Sequence, residues 1–274
     1  MKPVLGARKS RFAPRPRAGR GLGWLAVLGC VVGAAAAGVL AAPAAWLGRA
    51  VDRASGGQLL LGEARGTVWT GSASLALTGG PGSEEASVLP GRLTWRLRPL
   101  TPLSWSVQLG ADCCLPRPAE VHLSLGLGSW QAAFADGVSH WPAALLTGLG
   151  TPWNTLGLDG ALRLGLRGLR VRRAQGRWVV DGGAELQALD MASRLSSLRP
   201  LGSYRLDLVG GQVPLLSLST LGGDLRLTGQ GQWVGSRLRF SGEATAADDR
   251  EAQLANLLNI VGRRQGARSF ISVG

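Results

Sequence analysis

Apolar residues recur at every second position through much of the chain after residue 58. In RLTWRLR, residues 92–98, Leu93, Trp95 and Leu97 fall on one side, and Arg92, Thr94, Arg96 and Arg98 on the other. The alternation returns with Trp105, Val107 and Leu109, with Val121, Leu123, Leu125 and Leu127, and with Leu162, Leu164 and Leu166. It appears again at Tyr204, Leu206 and Leu208, at Leu225 and Leu227, and at Leu238 and Phe240. A period of two places successive side chains on opposite faces of a strand, one buried and one wet, as in antiparallel sheet. Gly, Pro and Asp interrupt the runs at hairpin spacing. The pattern predicts a mostly β chain built on a curved antiparallel β-sheet, with one or two short helices.

Three stretches depart from this period. In DDREAQLANLLNIVG, Leu254, Leu257, Leu258 and Val261 follow helical spacing, Asp248 and Glu251 fit a capping box, and Gly262 fits a C-terminal stop. Residues 139–160 carry Pro142, Pro152 and several glycines, and predict a short helix and loop joining possible halves at 49–138 and 155–274. LDMASRLSSLRPLG predicts a shorter helical turn ended at Pro200.

Ahead of the strands lies an uncharged run of 28 residues from Gly21 to Gly48. About 20 apolar helical residues cross a hydrocarbon core of roughly 30 Å. Trp24 and Trp46 stand near the ends of the run, where indoles favour the interface. This predicts one N-terminal transmembrane helix. The boundaries are a basic tail at 1–20, a span at 21–48 and a β-rich domain at 49–274. Two other uses of the run are a signal peptide cleaved near Ala41–Ala45, and a lipoprotein site at Cys30. The run exceeds the usual signal h-region of about 7–15 residues. The residues after Cys30 are apolar, where a lipoprotein begins with a polar tether.

Charge supports the same geography. The formal net charge is +13, and seven of the 30 basic residues lie among the first 20 positions, with no acid among them. The excess is thus concentrated in a pre-membrane tail rather than on a folded face. That argues against a nucleic-acid partner and for a cytoplasmic N-terminus, with the remainder in the periplasm.

Catalytic, metal and cofactor chemistry is absent from the pattern. His122 and His140 lack metal-type spacing; His122 alternates with leucines as a wet-face residue, and His140 adjoins Trp141 and Pro142. No His-Glu-x-x-His, Gly-x-Ser-x-Gly or phosphate loop occurs. Glu84 and Glu85 lie in a turn-rich loop and read as solvated, and the arginines of the strand faces read as solvated positive charge. Cys113 and Cys114 are adjacent; a bridge between neighbours closes almost no loop, pairing between molecules stays open, and the simplest expectation is two small, half-buried residues. The sequence therefore predicts no enzyme and no cofactor.

One short motif stands out. In RGTVWTG, Trp69 lies between Gly66 and Gly71. The glycines would let the backbone bend or bulge, and Trp69 would supply the apolar plate that pins the bend. With Leu93, Trp95, Leu97 and Pro99, and with Thr151, Pro152, Trp153, Asn154 and Gly160, it forms an ordered set behind the basic tail and the apolar run. This set resembles protein N of the bacterial type II secretion system, over most of the chain from residue 22. The resemblance implies an accessory inner-membrane component, with other secretion subunits as partners, that supports export of folded proteins across the outer membrane through assembly or protein contacts. Its motif residues are structural in that reading. The acidic loop at 80–90 and the cysteine pair fall outside the pattern.

The same alternation fits a second class, periplasmic lipid-binding or lipid-transfer proteins similar to the AsmA-like bridges, for which a lipid would be the partner. A groove lined by Leu and Trp and open along its length distinguishes lipid binding; a closed core with a polar surface distinguishes a protein partner.

Overall fold

The computed structural model describes residues 20–83, 85–174, 177–235 and 237–274; most of the basic tail and Glu84 lie outside them. The chain divides into two compact units, Met1–Ala41 and Ala42–Gly274.

In the first unit, helix α1 spans Arg20–Leu40, and its Trp24, Leu28, Val32 and Leu40 are exposed. Among the described residues no helix is long and apolar enough to cross a membrane. The uncharged run does not form one helix throughout. Pro43 holds extended backbone and has no N–H to donate, so α2, Ala44–Ala54, starts anew within the second unit. Ala44 and Gly48 of α2 are buried, and Leu47 packs on the cluster of Ala44, Ala73 and Trp95.

The second unit is mostly β: among the described residues sixteen strands form one sheet whose pairings are all antiparallel. The first five are β1 (Leu59–Gly66), β2 (Thr70–Thr78), β3 (Ala86–Val88), β4 (Leu93–Thr101) and β5 (Ser104–Ala111). Then come β6 (Ala119–Gly126), β7 (Ser129–Phe134), β8 (Gly137–Pro142), β9 (Leu158–Ala174) and β10 (Arg177–Ser193). The last six are β11 (Gly202–Gly211), β12 (Leu215–Gly223), β13 (Leu225–Val234), β14 (Arg237–Ala246), β15 (Arg263–Gln265) and β16 (Arg268–Val273). Between β8 and β9 lie a 3₁₀ helix, Ala143–Leu149, and one turn of helix, α3, Trp153–Leu156; α4, Glu251–Val261, precedes β15. Neighbours in sequence are mostly neighbours in the sheet, the arrangement that short hairpin connections dictate.

Residues 139–160 do hold short helical turns, Ala143–Leu149 and Trp153–Leu156, but the sheet runs on past them. The 17-residue β9 pairs along one side with β8 at Ala161–Leu166 and with β7 at Arg170–Ala174, and along the other with β10, so the sheet continues through this region.

Register sorts the sheet into rows. Leu164, Leu186, Leu206 and Leu218 stand side by side across β9–β12, and Leu166, Ala184, Leu208 and Leu216 form another row beyond them. The intervening row is Gly165, Glu185, Asp207 and Ser217, on the opposite face. Each apolar cross-strand neighbour contributes roughly 0.2–1 kcal/mol, and a slip of one residue would turn a whole leucine row to solvent. The alternation read from the sequence is thus the same quantity that fixes the pairing.

Helix α4 covers part of the apolar face. Leu254, Leu257 and Leu258 are fully buried in one cluster with Leu162, Met191, Leu201, Tyr204, Leu225 and Ala244. The expected apolar spacing is present, but the expected caps are not. Arg250 is the N-cap and makes no side-chain cap bond, and Gly262 is extended because the chain passes directly into β15. A second correction concerns residues 189–202, where no helical turn forms. There β10 runs on to Ser193, and the Leu201 amide returns to the Met191 carbonyl at 2.7 Å, so sheet pairing overrides local helix preference.

A third correction concerns the cysteines. Cys113 and Cys114 are joined to each other, and Cys114 is buried against Leu89, Ala111 and Leu145. The turn after β5, in which the amides of Cys114 and Leu115 both donate to the Ala111 carbonyl, brings the adjacent sulfurs together. Alkylation of the denatured but unreduced chain should therefore add a single label, at Cys30, and labels on Cys113 or Cys114 would contradict the bond.

Candidate functional site

The motif residues gather in two places. At the first, β1 ends at Gly66 and β2 begins at Thr70. Gly66 has φ +91°, and a Cβ there would lie 2.5 Å from the Thr70 carbonyl oxygen, so only glycine suits the turn. The Thr67 amide donates to the Thr70 carbonyl at 2.9 Å, and the Thr70 amide to the Thr67 hydroxyl at 3.1 Å.

The plate in this corner is Trp95, not Trp69. Trp95 lies opposite Gly71 in the β2–β4 register and is 4% exposed. A Cβ on Gly71 would come within 2.5 Å of the Trp95 Cζ2, so the glycine is the floor on which the indole lies. The indole Nε1 donates to the carbonyls of Thr67 and Val68 at 3.2 and 3.1 Å, which closes the hairpin from the neighbouring strand. Trp69 is half-buried and gives its backbone carbonyl to the Leu97 amide at 2.6 Å. The sequence points to Trp69 as the anchor; the buried indole over Gly71 comes from β4. The Gly–Trp spacing along one segment drew attention away from a cross-strand pair. Of the other β4 residues, Leu93 packs on the Leu89 cluster, Leu97 is half-buried and Pro99 is exposed.

At the second place, Pro152, Trp153 and Asn154 open α3. Its last carbonyl, that of Leu156, accepts from the Ser193 hydroxyl and from the Arg194 amide, and the Arg194 Nη2 donates to the Asn154 carbonyl at 3.0 Å. These bonds hold the short helix to the end of β10. Gly160 follows with φ +135°, beside Asp190, where the β9–β10 register shifts.

Pro152 and Trp153 form one lip of an apolar groove of about 630 Å³. Its floor is Leu186, Leu206, Leu218 and Leu227 of β10–β13, its other side is Leu257 and Ile260 of α4, and it extends to Phe270 and Val273 on β16. The sequence proposed such a groove only as a discriminator and did not place it. Helix α4 was legible as amphipathic, but how little of the face it covers was not. A closed core lies around Leu254, Leu257 and Leu258, with the groove beside it. Among the described residues no group of His, Cys, Asp and Glu could hold a metal ion.

Tyr204 is the one polar handle at the groove floor. Its hydroxyl donates to the Leu225 carbonyl at 3.0 Å, and burial raises its pKa well above the ordinary phenol range.

Two outcomes follow from these sites. Trp95→Ala should cost about 3–5 kcal/mol, because it removes a buried ring and leaves two carbonyls without a donor. Trp69→Ala should cost clearly less; denaturant unfolding of the two variants gives the comparison, and equal costs would contradict the assignment of the plate. Tyr204 is the sole tyrosine. Because its folded pKa is raised, its contribution to stability is intact below about pH 10, where an unfolded tyrosine begins to ionise, and is lost as pH rises further. Phenolate absorbance should therefore appear together with unfolding, and Tyr204→Phe should flatten the alkaline loss of stability.

A family profile described as type II secretion system (T2SS), protein N, matches residues 57–271, a span that includes both motif groups and most of the groove lining. No curated protein and no solved structure matches the chain significantly. The chain belongs to the type II secretion system protein N family.

Proposed function

We propose that this chain is an accessory inner-membrane subunit of the type II secretion system, crossing the membrane once with its N-terminus in the cytoplasm and its β unit in the periplasm. The observation that carries this reading is the family match over residues 57–271. Family membership makes the chain a secretion component, so its partners are other subunits of that machine. The topology rests on the seven basic residues before position 21, and on α1, whose apolar side chains are exposed around the helix rather than along one stripe. Apolar side chains on all sides require an apolar surrounding, and basic flanks stay in the cytoplasm. On this reading the sheet acts through contacts and assembly rather than by chemistry, supporting export of folded proteins across the outer membrane. The motif residues Gly66, Trp69, Gly71, Leu93, Trp95, Leu97, Pro99, Pro152, Trp153, Asn154 and Gly160 serve its architecture.

Deletion of the gene in its own host, scored as secreted against periplasmic activity of an exported enzyme, tests the role. Retention of the enzyme in the periplasm is the expected result, restored by the intact chain. Unchanged secretion would refute it. An alkaline phosphatase fusion after Gly274 should be active, and an inactive fusion at normal abundance would refute the topology.

A further inference from the structure

The apolar face of the sheet is larger than its cover. Leu162, Tyr204 and Leu225 are buried in the cluster that the α4 leucines join, whereas Leu186, Leu206 and Leu218 are only half-buried. Beyond them Phe240 is half-buried, and Phe270 and Val273 are 42% and 53% exposed. The result is the groove of about 630 Å³, with Trp153 and Ile260 at its lips, each more than a third exposed.

Volume and charge decide what fits. A polypeptide helix about 10 Å across rises about 5.4 Å per turn, so the space holds only about one and a half turns of it. It lies within the roughly 300–1,000 Å³ of pockets that take small, mostly apolar ligands. The lining offers an elongated guest few polar partners: the Tyr204 hydroxyl is already bonded to the Leu225 carbonyl. The charged side chain of the lining is Arg263 on β15, which is exposed and forms no ion pair among the described residues. An apolar slot with an uncommitted guanidinium at its margin complements a hydrocarbon tail with an anionic head.

We propose that this groove holds one acyl chain of an anionic amphiphile, with the tail along the leucine rows and the headgroup at Arg263. The site would act alongside the secretion role and does not depend on it. It requires only that the β unit have access to lipid.

The test uses the full chain in cells fed a diazirine-bearing palmitic acid, which enters phospholipids and also remains as free acid. After irradiation, peptides of the purified chain are analysed by mass. Adducts are expected on peptides of β10–β13, and on α1 as the membrane control. Adduct mass separates free acid from phospholipid. Ala188→Trp, which fills the groove between Leu162 and Tyr204, should lower the β10–β13 adducts by about tenfold and leave those on α1 unchanged. Arg263→Glu, at an exposed position that the fold does not depend on, should lower them by about threefold. Adducts confined to α1 would overturn the proposal, and so would β10–β13 adducts that neither substitution lowers. A protein segment or a second copy in the groove would give the first of these results. The readout is an adduct mass rather than secretion, so either proposal can fail without the other.

Discussion

Leu164, Leu186, Leu206 and Leu218 come from four strands and stand side by side because the hydrogen-bond register puts them there. The rest of the second unit depends on that alignment. It gives the sheet one apolar and one polar face, and it sets where α4 can dock. The polar face follows from the same register: Glu185 lies between strands that present Arg167 and Arg205, with ion-pair distances of 2.7 and 3.7 Å. Such partly exposed pairs add little energy, about 0–1 kcal/mol each, and serve mainly to make the wrong face unfavourable for burial. Hydrophobic burial on one side therefore carries the fold.

This explains which features were legible in the sequence. The alternation at Leu162–Leu166, Tyr204–Leu208 and Leu225–Leu227 states both the strand and its inward face, so the β class and the sheet face could be read directly. Helix α4 was legible for the same reason, since Leu254, Leu257 and Leu258 share one helical stripe and are fully buried. Features that depend on meetings between distant segments were not legible. Trp95 reaches the Thr67 and Val68 carbonyls from 28 and 27 positions away, and no local pattern marks it over Trp69. Residues 189–202 read as a helical turn, yet Met191 pairs with Gly202, so the segment is the end of β10, a connection and the start of β11. The Cys113–Cys114 bond likewise depends on a turn whose geometry a one-dimensional pattern does not contain.

The two motif groups do different physical work. Gly66, Gly71 and Trp95 tie the first hairpin to β4, in the cluster that Ala44 of α2 joins. Pro152, Trp153 and Asn154 shape a lip over the apolar face and tie it to β10 through Ser193 and Arg194. The leucine rows at the centre of the sheet both stabilise the unit and line that face.

If the leucine register organises the fold, the central strands are the most stable part of the molecule. Hydrogen–deuterium exchange of the full chain, read by peptide, tests this directly. The slowest amides should lie in β9–β12, where both flanks are paired and the leucine rows are continuous, with β15 and the ends of α4 exchanging earlier. Slowest exchange in β1–β5 together with rapid exchange in β9–β12 would contradict it, and would place the organising core elsewhere than in the leucine register.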